Sequence, residues 1–294
     1  MASGISLVLH RTTGVRAIRC TGRHESYRGA GLLQSKSPRD PLVYMTAVAA
    51  AGRRHLPHGW SDLWLQVGIW FGFLLAYQVA RGFADRDPAR ALENGLRVIQ
   101  WEREKTNHLL ELTVQQFAAS SGWLQTLVSW TYWNSEFTVV GLALLWVYLR
   151  RHEHFVRFRN TILFANALGL VGYVLLPTAP PRMFPALGFV DTLSAFGGLN
   201  HGSGLVELAS NPYAAMPSLH SADALIVGIT LAYVCRSWFA KAVWILWPAW
   251  VWFSVMATAN HFWLDIVAGV ALALVALALV HRRRLVRFVR VVTA

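Results

Sequence analysis

The sequence predicts an all-α polytopic membrane protein with six transmembrane helices and one amphipathic helix lying on the membrane surface. Three observations carry that expectation. Hydrophobic residues make up 55% of the 294-residue chain and charged residues only 14%, whereas a soluble domain carries about 25% charged residues. Mean hydropathy is +0.38, and fourteen tryptophans suit the interfaces of a bilayer, where indole rings settle. Apolar runs of roughly 20 residues, the length a bilayer core requires, recur along the chain with basic residues gathered at their ends.

Residues 1–58 form a basic tail rich in Arg, Gly, Ser and His. It has no run long enough to span, and its composition reads as disordered. The Ile5-to-Leu9 patch is too short for the apolar core of a signal peptide. Met45 is an alternative start, which would make residues 1–44 an upstream extension. The membrane domain is expected over 59–281, with a basic tail at 282–294. Its first span runs from Asp62 to Ala80. Residues 81–121 then alternate polar and apolar with helical periodicity (Leu92, Leu96, Ile99, Leu109, Leu112, Phe117), the pattern of a helix lying in the interface. Spans two and three are expected at 123–149 and 161–177. Pro177, Pro180, Pro181 and Pro185 with several glycines make 178–215 a loop. Spans four, five and six follow at 217–235, 242–258 and 262–280.

The net charge of +12 does not indicate a nucleic-acid partner, because the cations sit where membrane topology places them. Arg53, Arg54, Arg150, Arg151, Arg157, Arg159, Arg236, Lys241 and the arginines from Arg282 to Arg290 fall on one side if the N-terminus is cytoplasmic. Across the other side, the 178–215 loop holds one cation, Arg182. The positive-inside rule then places both termini in the cytoplasm, and His220, His261 and Arg182 meet at the external face of a cell membrane. Cys20 and Cys235 imply neither a disulfide framework nor a zinc site.

Two stretches carry the chemistry: Met216-Pro217-Ser218-Leu219-His220 and Asn260-His261-Phe262-Trp263-Leu264-Asp265. An ionisable side chain at the mouth of a spanning helix is costly and is a functional candidate by default. His261 and Asp265 lie four apart, on one helix face, where a carboxylate can orient an imidazole for nucleophilic attack. The alternative is a polar pair that only locks helices together. His220 lies in the first turn of span four, behind Pro217, where a helix N-terminus suits phosphate. Ser218 could bind a phosphate oxygen or simply cap the helix. Arg182 offers a guanidinium fork for phosphate, or a lipid-headgroup contact. Asn260 could bond the same phosphate or cap a helix. Glu136, inside span two, wants a partner and is a weaker candidate of unassigned role. Asp223, one turn after His220, is expected to pair within the bundle. Glu102 and Arg103 read as a solvated face of the interfacial helix. Together these residues point to phosphoryl transfer at a membrane surface.

Pro-Thr-Ala-Pro-Pro-Arg (177–182), Met-Pro-Ser-Leu-His (216–220) and Asn-His-Phe-Trp-Leu-Asp (260–265) resemble, in order and spacing, the type 2 phosphatidic acid phosphatase superfamily. Within it they resemble the inositol phosphorylceramide synthase branch, over roughly residues 88–281. The resemblance implies a six-helix bundle with its site at the outer face and a phosphorylated lipid substrate: a phospholipid, or an isoprenoid or glycolipid phosphate. It also implies roles. His261 would attack phosphorus, Asp265 would orient it, His220 would protonate the leaving group and Arg182 would hold the phosphate, with no metal or other cofactor.

Two departures stand out. The phosphatase branch carries Pro-Ser-Gly-His and a Ser-Arg ahead of the third motif's histidine. Here Leu219 replaces the glycine, and Thr258-Ala259-Asn260 precedes His261 with no arginine. A lipid phosphohydrolase and a headgroup transferase share the first half-reaction, so both readings stay open. A non-enzymatic transporter or scaffold would need charges deep in the spans, which mostly lack them.

Overall fold

The computed structural model describes residues 56–84, 87–193 and 212–292, all within a compact unit that begins at Val48. Residues 1–55 of the expected 1–58 tail, the proposed alternative start and part of the 178–215 loop lie outside the described residues. Those residues are helical and contain no strand; a single bridge, Thr178 to Ala214, is their one β contact.

The helices are α1 (Gly59–Ala84), α2 (Pro88–Thr106), α3 (Leu110–Ala119), α4 (Gly122–Asn134), α5 (Val140–Arg150), α6 (His152–Leu175), α7 (Leu219–Val234), α8 (Trp238–Ala257) and α9 (Trp263–Val292). Three of them, α6, α8 and the Trp263–Arg282 part of α9, are long and apolar enough to cross a membrane, and α7 is a shorter apolar helix. Outward-facing Phe71, Leu75, Ile245 and Leu246 are each about two-thirds exposed, an apolar surface suited to hydrocarbon rather than water.

The core of the bundle is where α5, α6, α7 and α9 meet, through Val147, Phe158, Ile162, Ile226, Leu231, Ala273 and their neighbours. Small residues let these helices close at one end. A Cβ on Gly269 of α9 would collide with the Ser218 carbonyl, and one on Gly172 of α6 would sit 2.7 Å from Pro217 Cδ. The segment 216–220 is therefore clamped between α6 and α9.

Three boundaries differ from expectation. Span two is interrupted at Ser135–Val139 by one π-helical turn joining α4 to α5, a local widening that i→i+4 periodicity cannot announce. Span three begins at His152, because Arg157 and Arg159 join the first turns of α6. The segment expected as one interfacial helix forms two, α2 and α3, since Asn107 adopts a left-handed conformation (φ 58°) and its N–H closes α2 on the Arg103 carbonyl. Asp87 caps the start of α2 through the Arg90 N–H, with Pro88 in its first turn. Helix α2 packs Ala91, Val98 and Ile99 against Phe184, Phe189, Ala259 and Phe262. It thereby lies alongside the loop and turn that carry the candidate site.

Candidate active site

Each motif is held by a different element, and packing brings them together. His261 lies on the turn between α8 and α9. The turn opens with Thr258, whose hydroxyl donates back to the Ser254 carbonyl at 2.9 Å, and continues through Ala259 at φ 54°. That conformation is unusual for a residue with a side chain and is held only where the surroundings impose it. Here the Ala259 carbonyl accepts the Arg182 N–H at 2.8 Å.

His261 is 4% exposed. Its Nδ1 lies 2.9 Å from the Ala215 carbonyl and 3.5 Å from Asp265 Oδ2. A carbonyl can only accept, so Nδ1 carries the proton and Nε2 keeps the lone pair. The spacing of four from His261 predicts that Asp265 orients the ring, but Asp265 does not do so alone. Instead the backbone of residue 215 is the nearer partner, and Asp265 Oδ2 accepts the Phe262 N–H at 2.8 Å. Burial, together with the Arg182 charge, pushes the His261 pKa down to about 4, which keeps the ring neutral at pH 7.

His220 stands in the first turn of α7, and its ring centroid lies 5.6 Å from that of His261. Its Nε2 is 3.2 Å from Glu136 Oε2, and Tyr132 stacks on its face at 4.6 Å and 16°. Both partners come from the region of the π turn, which sets them on the face toward α7. Glu136 is thus the residue whose role the sequence left open, and its partner is His220. Tyr132 was missed. The available signal was its spacing of four from Glu136 across an apolar helix, which places both on one face.

Ser218 caps α7: its Oγ accepts the Ser221 N–H at 3.2 Å and the Ser221 hydroxyl at 2.9 Å, and the residue is fully buried. The capping alternative therefore describes the hydroxyl's geometry in this structure. Asn260 accepts from Arg182 Nη1 at 2.6 Å and donates to the carbonyl of Thr258, the residue that ends α8, at 3.0 Å. The guanidinium also has Asp191 Oδ2 at 4.0 Å from its Nε, an acidic neighbour not singled out in the sequence. Asp223 is paired as expected, with Asn166 Nδ2 at 2.8 Å. Glu102 corrects the expectation of a solvated face: it is fully buried, as is Glu111, and the two accept the Leu264 and Trp263 N–H groups at 3.2 and 2.7 Å. Helix α2 is amphipathic, but its face bearing Glu102 turns toward α9.

Two histidines, a carboxyl group beside each and an arginine thus converge from four sequence-distant segments. Residues 97–279 match the family model of the PAP2 superfamily. The chain belongs to the PAP2 superfamily. Among this protein's curated relatives is the phosphoinositol dihydroceramide synthase of Bacteroides thetaiotaomicron, 28% identical over 148 residues, or 46% of this chain and 47% of that one. The inositol phosphorylceramide synthase of Candida albicans is 25% identical over 124 residues, 38% and 26% of the two chains. The matched region thus spans about half the length, or less, of those relatives. The crystal structure of Aquifex aeolicus LpxE aligns with a TM-score of 0.44 at 15% identity, covering 59% of this chain and 93% of that one. All three PAP2 motif segments of this chain fall inside 97–279.

Proposed function

We propose that this PAP2 protein transfers the phosphoryl-linked part of a phosphorylated lipid through a phosphohistidine on His261, at the external face of a six-span membrane domain. The observation that carries the reading is the His261 ring itself. Its Nδ1–H is committed to the Ala215 carbonyl, its Nε2 lone pair is available, and a low pKa keeps it neutral. A neutral, oriented imidazole is what a nucleophile at phosphorus requires.

In the first half-reaction His261 Nε2 forms a bond to phosphorus, and the bond from phosphorus to the leaving alkoxide breaks. Protonated His220, held against Glu136, gives its proton to the leaving oxygen. Arg182 neutralises the charge spread over the non-bridging oxygens, exchanging Asn260 for phosphate. In the second half-reaction an acceptor hydroxyl loses its proton to His220 as its oxygen bonds phosphorus. The N–P bond then breaks, and His261 is restored.

The acceptor decides between hydrolysis and synthesis. The two synthase relatives favour a lipid hydroxyl over water, and an inositol phospholipid as donor. The absence of an arginine ahead of His261 agrees with a donor that brings a phosphodiester rather than a phosphomonoester, because a diester carries one charge less.

The test uses purified full-length protein in detergent, with phosphatidylinositol and a fluorescent ceramide in one arm and phosphatidic acid in the other. Formation of an inositol-phosphoryl lipid, absent with His261→Ala, is the expected result. Free phosphate from phosphatidic acid with no transfer product would assign a phosphohydrolase. Undiminished turnover in His261→Ala would overturn the mechanism in either arm.

A further inference from the structure

Three consecutive backbone N–H groups open α9: those of Phe262, Trp263 and Leu264. Each is accepted by a different carboxylate. Asp265 takes the first at 2.8 Å, Glu111 of α3 the second at 2.7 Å and Glu102 of α2 the third at 3.2 Å. Helix starts are commonly capped by one local side chain; this one is gripped from outside by two helices that belong to neither end of the bundle core. Trp101 of α2 packs on Trp263, ring centroids 5.6 Å apart, so the grip is apolar as well as polar.

Two fully buried carboxylates side by side cannot both stay ionised. Each leaves its Oε2 buried with no hydrogen-bond partner among the described residues. One proton between the two carboxyls supplies that partner. It also leaves the Glu102–Glu111 pair with a single negative charge near the positive end of the α9 dipole.

We propose that Glu102 and Glu111, sharing one proton, are positioning residues for the nucleophile: they fix the 261–265 turn and so hold His261 against the Ala215 carbonyl. The inference rests on the phosphohistidine reading above. The proton is drawn to Glu102, whose carboxyl takes the longer backbone hydrogen bond, 3.2 Å against 2.7 Å at Glu111, and burial and the neighbouring Glu111 push its pKa up to about 9. Burial raises Glu111 too, countered by the Trp263 N–H and the Glu102 hydrogen bond. The other titratable groups around the pair are Asp265 and His108. The proton is present at neutral pH and leaves as pH rises through about 9. Repulsion between two ionised carboxylates then loosens the turn.

The experiment compares Glu102→Ala, Glu111→Ala, Glu102→Gln and His261→Ala in the full-length protein, with both substrate arms named above. A glutamine at 102 mimics the protonated carboxyl: its amide donates to Glu111 and its oxygen accepts from Leu264. Either alanine variant is expected to lower kcat about 100-fold, the scale of a misplaced reacting group, with KM little changed. Glu102→Gln is expected to restore kcat at pH 7 and to abolish the fall of wild-type kcat near pH 9. Nitrogen-15 NMR of the histidine rings reads the same device without turnover: the His261 Nδ1–H signal is expected in the wild type and Glu102→Gln, and lost in both alanine variants.

Wild-type kcat and an intact Nδ1–H signal in the alanine variants would overturn the positioning role. So would Glu102→Gln behaving as Glu102→Ala does. If His261→Ala is inactive while the alanine variants match wild type, this inference alone fails. If His261→Ala is active, the phosphohistidine reading fails, whatever the carboxyls do.

Discussion

Gly269→Ala is the substitution that most sharply tests how the two histidines are brought together. Gly269 is on α9, eight residues after His261, and faces the carbonyl of Ser218, two residues before His220. An added Cβ would clash with that carbonyl oxygen and would lie 3.1 Å from its carbon and 3.3 Å from Ser221 Cβ. Backbone cannot rotate away as a side chain can, so α9 and the start of α7 must part by on the order of 1 Å to reach van der Waals distance. The overpacking itself costs about 1–3 kcal/mol, partly offset by the better helix propensity of alanine, worth up to about 1 kcal/mol. The protein is therefore expected to fold. The displacement falls directly on the 5.6 Å ring pair, and a shift of this size costs about 100-fold in rate. The assay is kcat beside a thermal melt in detergent. Gly141→Ala, within α5, is the control, because nothing lies within 4 Å of a Cβ there; it should leave kcat unchanged and hold or slightly raise the melting temperature. Full activity in Gly269→Ala would refute the claim that the α7–α9 approach sets the histidine geometry.

Other outcomes follow from the same geometry. Asp265→Asn is expected to cost about 10- to 100-fold in kcat, short of the roughly 10⁴-fold seen where an aspartate alone fixes a catalytic histidine, because Ala215 continues to hold Nδ1; a loss as large as His261→Ala would contradict that division of labour. The acid limb of kcat/KM that belongs to the nucleophile should fall near pH 4 instead of near 6.5, measured across pH 3.5–8 with the wild type. By linkage, the depressed His261 pKa makes a contribution to stability that is whole above pH 6.5 and is lost as pH falls toward 4, which a series of thermal melts would read. Arg182→Lys should raise KM and lower kcat together, because an ammonium cannot offer phosphate the planar fork of the guanidinium that Asn260 holds through Nη1; unchanged kinetics would remove Arg182 from the site. Turnover should be unaffected by EDTA, since no step assigned to these residues uses a metal, and strict metal dependence would count against a histidine nucleophile.

How much of this was legible in the sequence depended on whether a feature is written in residue types or in backbone. His220, His261, Asp265, Arg182 and Asn260 were readable as candidates because ionisable or amide groups beside apolar runs stand out, and helical spacing pairs His261 with Asp265. The Ala215 carbonyl was not, since any residue offers one there and only the fold brings it to Nδ1. Glu136 was visible as a charge in a span, but its target depended on the π turn that rotates it toward α7. Glu102 was misassigned because a local periodicity shows only that one face is polar. It does not reveal that a second carboxylate, nine residues on, folds back to bury it.

Arg182 is tied to the nucleophilic turn twice, by its own N–H to the Ala259 carbonyl and by its guanidinium to Asn260. Those two residues immediately precede His261. The cation that would receive a phosphate and the imidazole that would attack it are therefore one mechanical unit, although 79 positions separate them along the chain. A headgroup that takes Asn260's place on the guanidinium releases the amide next to the attacking residue. A ligand too small or too weakly charged to do so leaves the latch shut. On the proposed mechanism, selectivity would be exercised through the release of His261's neighbour, and a molecule could meet the guanidinium without arming the imidazole.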